Sequence, residues 1–462
     1  MHATGQPSYD VNTCLKLLKN ADYVLLHFTD LLGSLKGRTI PSEEARDALE
    51  NGVGFDGSSI VGGVGIQESD MVMKPDVSTF GVFPYYFYDK SVVSFICAMH
   101  QPDGKRFEGD SRFICQKAME KTLKAGYEAT AAAELEFYLV RKDEDGVVVP
   151  VESHLAEKQR YFDIAPDRDI TESYRMDLSN ALLAMGLAVE RQHHEVGPAQ
   201  NEITFRYSNP LVTSDNIVRY KFAAKAVAAR KYDWMATFMP KPWKDKAGSG
   251  MHIHFGLFGV NSGENLFFDA NSYGQLSQLC RYFIGGVLEH ARALCAVVAP
   301  GVNSYKRLVP GFEAPVYVSW SKRNRSALIR VPEYFPEKKN EARFEFRCPD
   351  PLSNPYLVYS AVLAAGLDGI KRKMDAGEPV DVNLYHLSTV EREKLGVRVL
   401  PGSLKEALEE WRSDDICMRA LGKEYAEKFL ELKMQEWKEY EAHMPEDRSE
   451  VSAWELQKYL YM

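Results

Sequence analysis

Glu134 and Glu136 stand two apart in Ala131–Leu139, a run that reads as a β-strand. Residues two apart leave the same face of a strand, so both carboxylates point one way. Like charges side by side repel one another and lose hydration when buried. Divalent magnesium or manganese, which prefers carboxylate oxygens, would relieve both costs. An isolated Glu-x-Glu is ordinarily the solvated face of an edge strand, but other stretches here supply matching parts. Glu195 and Glu202 flank the Gly197-Pro198 turn, and a hairpin would return both to one place. His252 and His254 share a strand face behind the Gly248-Ser249-Gly250 turn, whose backbone amides can approach a carboxylate or phosphate. Arg343, Glu345 and Arg347 share a face with Phe344 and Phe346 opposite. That alternation fits a metal ligand between anion-binding arginines, and equally a cross-strand salt-bridge ladder. Acids and histidines paired on several strands, with arginines nearby, imply two or more divalent ions and polyanionic ligands. This is the pattern of phosphoryl transfer.

The elements that must position these groups follow along the chain. Residues 22–29 alternate as a strand, and Leu31–Thr39 would pair with it. Ser42, an acidic first turn and Gly52 bound a helix. Phe55-Asp56-Gly57-Ser58-Ser59 opens a glycine-rich loop reaching Gly65, where Asp56 is ordinarily a turn former. Val92–Met99 is a strand, and the turn-rich Gln101–Arg106 places a domain boundary near residue 105. Beyond it come helices at Ser111–Ala125, Thr171–Met185, Asp215–Lys231 and Tyr273–Val298, with strands at Leu187–Glu190, Ile203–Tyr207, Met235–Met239 and Ala327–Val331. Asn303–Pro315 is turn-rich and without period, as functional loops are. A core helix runs from Ser353 through Met374, and Ser403–Glu410 and Asp415–Glu441 are helical and amphipathic.

With 462 residues the chain can bury a large core in two domains, and its composition is globular. The net charge of -9 disfavours nucleic-acid and membrane-surface partners. Seven scattered cysteines without CxxC spacing read as reduced thiols of a cytoplasmic protein, and no apolar run is long enough to span a bilayer. Gly62-Gly63-Val64-Gly65 lacks the lysine and following helix of a P-loop.

Taken in order, Phe55-Asp-Gly-Ser-Ser, Glu134-Leu-Glu, His193-His-Glu-Val, Gln200-Asn-Glu, Met239-Pro-Lys-Pro, Gly248-Ser-Gly-Met-His-Ile-His, Asn303-Ser-Tyr-Lys-Arg, Pro310-Gly-Phe-Glu-Ala-Pro, Asn324-Arg-Ser and Asn354-Pro-Tyr form a specific set. On these motifs the chain closely resembles prokaryotic type I glutamine synthetase from about residue 15 to its end. The resemblance implies an α+β fold. A small β-grasp domain would span 15–105, and a catalytic domain with a curved antiparallel sheet flanked by helices would span 106–462. It implies ATP-dependent ligation of ammonia to glutamate through γ-glutamyl phosphate, with two or three Mg2+ or Mn2+ ions per site. The assembly would be a cytoplasmic dodecamer of two hexameric rings with active sites between subunits. Glu136, Glu195 and Glu202 would hold one metal, and Glu134, His252 and Glu345 the other. Glu190, His254, Arg330 and Arg343 would contact the nucleotide, and Arg307, Arg347 and Gly248 the glutamate. Arg325 would face the transferred phosphoryl group and Glu313 would lie on a closing flap. Asp56 and Ser59 of a neighbouring subunit would bind ammonium. Ala247 stands where the family often has an asparagine, so the alternative is a γ-glutamyl-polyamine or ethanolamine ligase. Tyr385 falls where some members are adenylylated, but its His-Leu-Ser context differs from theirs.

Overall fold

In Tyr23–Thr29 (β1), Val24, Leu26 and Phe28 turn one apolar face to the core, as a half-buried strand must. The computed structural model describes residues 9–65, 69–152, 161–312, 314–322, 324, 326–333 and 338–462. β1 joins Leu35–Pro41 (β2), Val53–Asp56 (β3), Asp70–Pro75 (β4), Gly81–Val82 (β5) and Val92–His100 (β6) in the first sheet, ordered β2-β1-β6-β4-β3 with β5 beside β6. β1 and β6 run parallel, and the other pairs antiparallel. This is the amino-terminal β-grasp domain.

The second sheet holds Tyr127–Lys142 (β7), Val148–Pro150 (β8), Val189–His194 (β9), Gln200–Phe205 (β10), Met235–Thr237 (β11), Met251–Gly259 (β12), Tyr317–Ser321 (β13), Ala327–Arg330 (β14), Phe344–Phe346 (β15) and Arg398–Val399 (β16). Its order is β16-β13-β14-β15-β12-β7-β10-β9, with β8 and β11 also on β7. The 16-residue β7 is the spine of this curled sheet, pairing with β12 along one edge and β10 along the other. The expected antiparallel sheet is corrected at one place. β13 and β14 run parallel, Tyr317 beside Ala327 and Ser321 beside Arg330.

Behind the sheet lies the helix Pro355–Arg372, buried on almost every side as its mostly apolar sequence requires. It crosses the helix Gln278–Glu289 at glycines. A Cβ on Gly369 would stand 2.2 Å from the Tyr282 carbonyl oxygen, and one on Gly286 2.1 Å from that of Ala365. Asn354 caps the buried helix, its Oδ1 accepting from the Tyr356 amide at 3.1 Å. Its Nδ2 donates to the carbonyls of Asp30 and Leu31, both at 3.2 Å, in the β1–β2 turn. Gly33, at φ +87°, closes that turn, and a Cβ there would come within 2.9 Å of Asn354.

Several sequence boundaries move. Ser42 does not cap the second helix; Pro41 starts a 3-10 turn at Ser42, and the α-helix is Ala45–Asn51. Phe55 and Asp56 end β3 rather than lying in an open loop. Helix 273–298 is broken, since Gly274 at φ +63° ends a 3-10 turn before helices Gln278–Glu289 and Ala291–Val298. Ser304–Arg307 forms a buried helical turn inside the expected irregular loop. The helix expected to start at Asp215 begins at Pro210, with Asn209 accepting from the Val212 amide. The alternating strand 341–347 contracts to Phe344–Phe346. The carboxy-terminal helix breaks at Gly422, φ +83°, and Ala453–Tyr459 adds a helix that periodicity did not mark. All seven cysteines are buried and unpaired. Among the described residues no helix is long and apolar enough to cross a membrane.

Candidate active site

Strand register gathers the chemistry. Glu134 on β7 lies opposite His252 on β12, and His254 opposite Glu345 on β15. On the other edge of β7, Glu136 faces Glu202 of β10, which in turn faces His193 of β9. Two groups result. In the first, His252 Nδ1 is 3.8 Å from Glu134 Oε2 and 3.7 Å from Glu345 Oε1, and His254 Nε2 is 3.1 Å from Glu134 Oε1. In the second, His193 Nε2 is 2.7 Å from Glu195 Oε1, and its Nδ1 is 3.9 Å from Glu202 Oε1. Each trio offers ligand atoms within 4.8 Å of one another.

Electrostatics separates these acids. Burial pushes Glu136 up, the Glu195 charge adds to it, and its carboxyl reaches about 8. Glu202 is likewise raised by burial and by the charges of Glu134 and Glu195. Burial would raise Glu345 too, but Arg347, His252 and His254 hold it at about 2. Against the same desolvation, His254 and His252 hold Glu134 well below the usual carboxylate range. Glu136 and Glu202, raised by burial and by neighbouring carboxylates, stand beside imidazoles and two acids that stay low, a donor set that divalent cations fit.

Around the two trios the remaining residues fall as follows. Arg347 Nη1 donates to Glu345 Oε1, and Arg330 Nη1 to Glu345 Oε2 at 2.7 Å. Arg307 is buried, donating to the carbonyls of Cys348 at 2.8 Å and Arg347 at 3.1 Å. It packs against Gly248, where a Cβ would stand 2.8 Å from Arg307 Cγ. A cavity of about 230 Å³ opens beside the first trio, lined by Glu134, His254, Glu190, Tyr207 and Arg343. Asp56 is exposed and closes its own turn, accepting from the Ser58 amide at 2.9 Å and from the Ser59 hydroxyl at 3.2 Å. The Ser58 hydroxyl and amide bonds hold its carboxyl below the ordinary aspartate value. Glu313 and Arg325 lie outside the described residues. The Ala247 carbonyl accepts from the Tyr138 hydroxyl at 2.7 Å, and the Tyr385 hydroxyl donates to the Ala314 carbonyl.

Glu195 and Glu202 meet His193, whereas Glu136 turns to the Gly250 amide at 2.9 Å and to Gln200 Nε2 at 3.3 Å. Neither His193 nor Gln200 was expected as a site residue; only the register across β10 reveals them. Gln200 Nε2 also donates to the Gly248 carbonyl at 3.0 Å, joining the hairpin to the glycine turn. A buried network behind the hairpin was equally hidden. His194 Nε2 lies 3.0 Å from Glu152 Oε1, and Arg175 donates to Asn201 Oδ1 at 2.7 Å.

Comparison with known proteins follows the same division. Residues 20–102 match the glutamine synthetase β-Grasp domain and residues 108–459 the glutamine synthetase catalytic domain. The glutamine synthetase of Thermotoga maritima is 45% identical over 444 residues, covering 96% of this chain and 97% of that one. The glutamine synthetase of Methanosarcina mazei is 44% identical over 450 residues, covering 97% of each. Among solved structures, the GmaS/ADP complex in its conformation 1 superposes with a TM-score of 0.83 at 29% identity, covering 98% of this chain and 99% of that one. With both domains matched and relatives this similar end to end, the chain belongs to the glutamine synthetase family.

Proposed function

We propose that this chain ligates ammonia to L-glutamate at the expense of ATP, giving glutamine, ADP and phosphate through γ-glutamyl phosphate. The observation that carries the reading is the row of cross-strand pairs on β7. It sets Glu134, His252 and Glu345 beside Glu136 and Glu202 on one sheet, with Glu195 on the hairpin that joins β9 to β10. The first three would hold one Mg2+ or Mn2+ and the second three another, with His193 beside them. Bound there, the ions would supply positive charge against the phosphate charge that develops in the transfer.

The chain's own groups do the rest. His254, Arg343 and Glu190 line the cavity of about 230 Å³ and receive the nucleotide, with Arg330 beside them on Glu345. That the structural relative is an ADP complex supports a nucleotide as ligand. Arg347 and the Gly248 backbone take the glutamate carboxylates, and buried Arg307 fixes them in place through its bonds to the 347–348 backbone. Arg325 faces the transferred group. The flap bearing Glu313 closes over the acyl phosphate, which must be kept from water. Asp56, with Ser59, attracts ammonium from a neighbouring subunit and accepts its proton. The enzyme works in the cytoplasm as a dodecamer of two hexameric rings, its domains meeting near residue 105.

The test is phosphate release from ATP, magnesium and glutamate, with ammonium compared against putrescine and ethanolamine. Ammonium dependence that is largely lost in Asp56→Ala supports the reading. Turnover only with the larger amines reassigns the acceptor and points to Ala247.

A further inference from the structure

Arg219, on the helix Pro210–Val227, is 5% exposed. Its Nε and Nη2 are buried and donate to nothing among the described residues. The acids whose charge reaches it are already held. Asp215 accepts from Nε and Nη2 of Arg112, both at 2.9 Å, and from the Tyr356 hydroxyl at 2.6 Å. Asp76 lies 2.9 Å from the same Arg112 Nη2. Asp215 and Asp76 thus offset the charge of Arg219 at a distance but leave its N–H groups without an acceptor. Burial pulls the Arg219 guanidinium below the ordinary arginine value. A desolvated donor pair without an acceptor is costly, and natural proteins fill such positions.

Arg219 lines a cavity of about 40 Å³ between the turn before β5 and the turn after the helix Glu172–Ala184. Tyr9, Phe80, Val82 and Met185 supply apolar wall, and Ser78, Arg219 and backbone groups a polar share of similar size. At Gly81 a Cβ would stand 3.5 Å from Arg219 Nη2, from the Met185 carbonyl oxygen and from Ser94 Oγ, so a larger side chain there would enter this space. None of these residues belongs to the candidate active site.

We propose that this cavity is a binding site for a small carboxylate, gripped side-on by Nε and Nη2 of Arg219. The free edge is the one by which Arg112 grips Asp215 in the same molecule. One water meets one of two parallel N–H bonds, whereas a carboxylate meets both. The single guanidinium and the narrow space suit a planar monoanion rather than a phosphate dianion. The apolar side chains on one part of the wall suit a ligand with a short hydrocarbon stem. Because Met185 and Gly186 lead into β9, which carries His193, an occupant here braces the strand that feeds the second trio.

The experiment is thermal unfolding of the full-length chain, titrated at constant pH and ionic strength with formate, acetate, chloride or phosphate. Formate and acetate should raise Tm along a saturating curve that chloride and phosphate do not reproduce. Arg219→Met, which removes the buried charge, should keep or raise the unliganded Tm and bind acetate roughly tenfold more weakly or not at all. Gly81→Val, which fills the cavity and leaves the arginine in place, should lose the same response. Arg219→Lys, lacking two parallel donors, should retain only part of it. A carboxylate effect of equal size in Arg219→Met or Gly81→Val overturns the site. So does a wild-type rise that is linear or matched by chloride, because the donors are then met by water alone. Should Arg219→Met fail to fold, Gly81→Val and calorimetric titration of wild type with acetate decide the matter.

Discussion

Glu136 gains from a bound cation, since burial and the Glu195 charge hold its carboxyl at about 8. Glu136→Gln keeps the shape and fixes the neutral state that a carboxyl at about 8 already favours near pH 7 without a metal. The metal-free protein should therefore be as stable as wild type or more so, while the magnesium concentration for half-maximal activity rises and turnover falls about a hundredfold or more. Thermal unfolding in chelator beside a magnesium titration of phosphate release checks both halves. Glu345→Ala should cost at least as much activity. It should also destabilise the fold, because Arg330 and Arg347 lose the acid that pairs them. At this scale the spacing of Glu134, Glu136, His252, His254 and Glu345 was readable, since period-two alternation needs only the local strand. His193 and Gln200 were not. Their place depends on which residue of β10 lies opposite Glu136 and Glu134, and register belongs to strand pairs rather than to one strand.

At the scale of elements, the two glycine-rich helices cross with no room for a methyl group. Gly369→Ala would push its Cβ against the Tyr282 carbonyl, forcing the helices Gln278–Glu289 and Pro355–Arg372 apart. The expected loss is about 1–3 kcal/mol of stability, read by denaturant unfolding, with little change in KM for either substrate. A second junction is electrostatic. His290, between the helices Gln278–Glu289 and Ala291–Val298, has Nδ1 2.6 Å from Asp414 Oδ2 and Nε2 3.2 Å from Asp368 Oδ2. Asp414 also caps the helix Asp415–Leu421, and Arg372 pairs with Asp368 at 3.1 Å. Although burial would lower the imidazole, the two carboxylates raise it above its ordinary value. A group whose folded pKa is raised stabilises fully below its unfolded value of about 6.5 and loses that contribution as pH climbs through the raised one. Wild type should therefore exceed His290→Gln in stability near pH 6, with the gap closing toward about pH 9. Parallel melts across that range test it. The existence of these helices was legible from apolar period and capping residues. Their breaks were less so, because Gly274 and Gly422 turn the chain through positive φ that a periodic pattern reads past.

For the whole molecule, the proposed sharing of sites between subunits has a direct consequence. Asp56→Ala and Glu345→Ala chains, each with little activity alone, should recover part of it when co-assembled, since some interfaces then unite an intact Asp56 with an intact Glu345. Activity of mixed assemblies that never exceeds the average of the parents would remove Asp56 from the neighbour's site. The α+β class was legible from the motif series. The parallel β13–β14 pair was not, because strand direction depends on where a connection returns the chain. Asn354 ties the domains together: one side chain both begins the central helix and clasps the β1–β2 turn. The first turn of that helix is therefore complete only when the amino-terminal sheet is docked, so the two sheets should not melt as separate cooperative units. In native-state hydrogen exchange the amides of Tyr356–Val358 and those of β1 should open with one common free energy, and Asn354→Ala should split that single event into two.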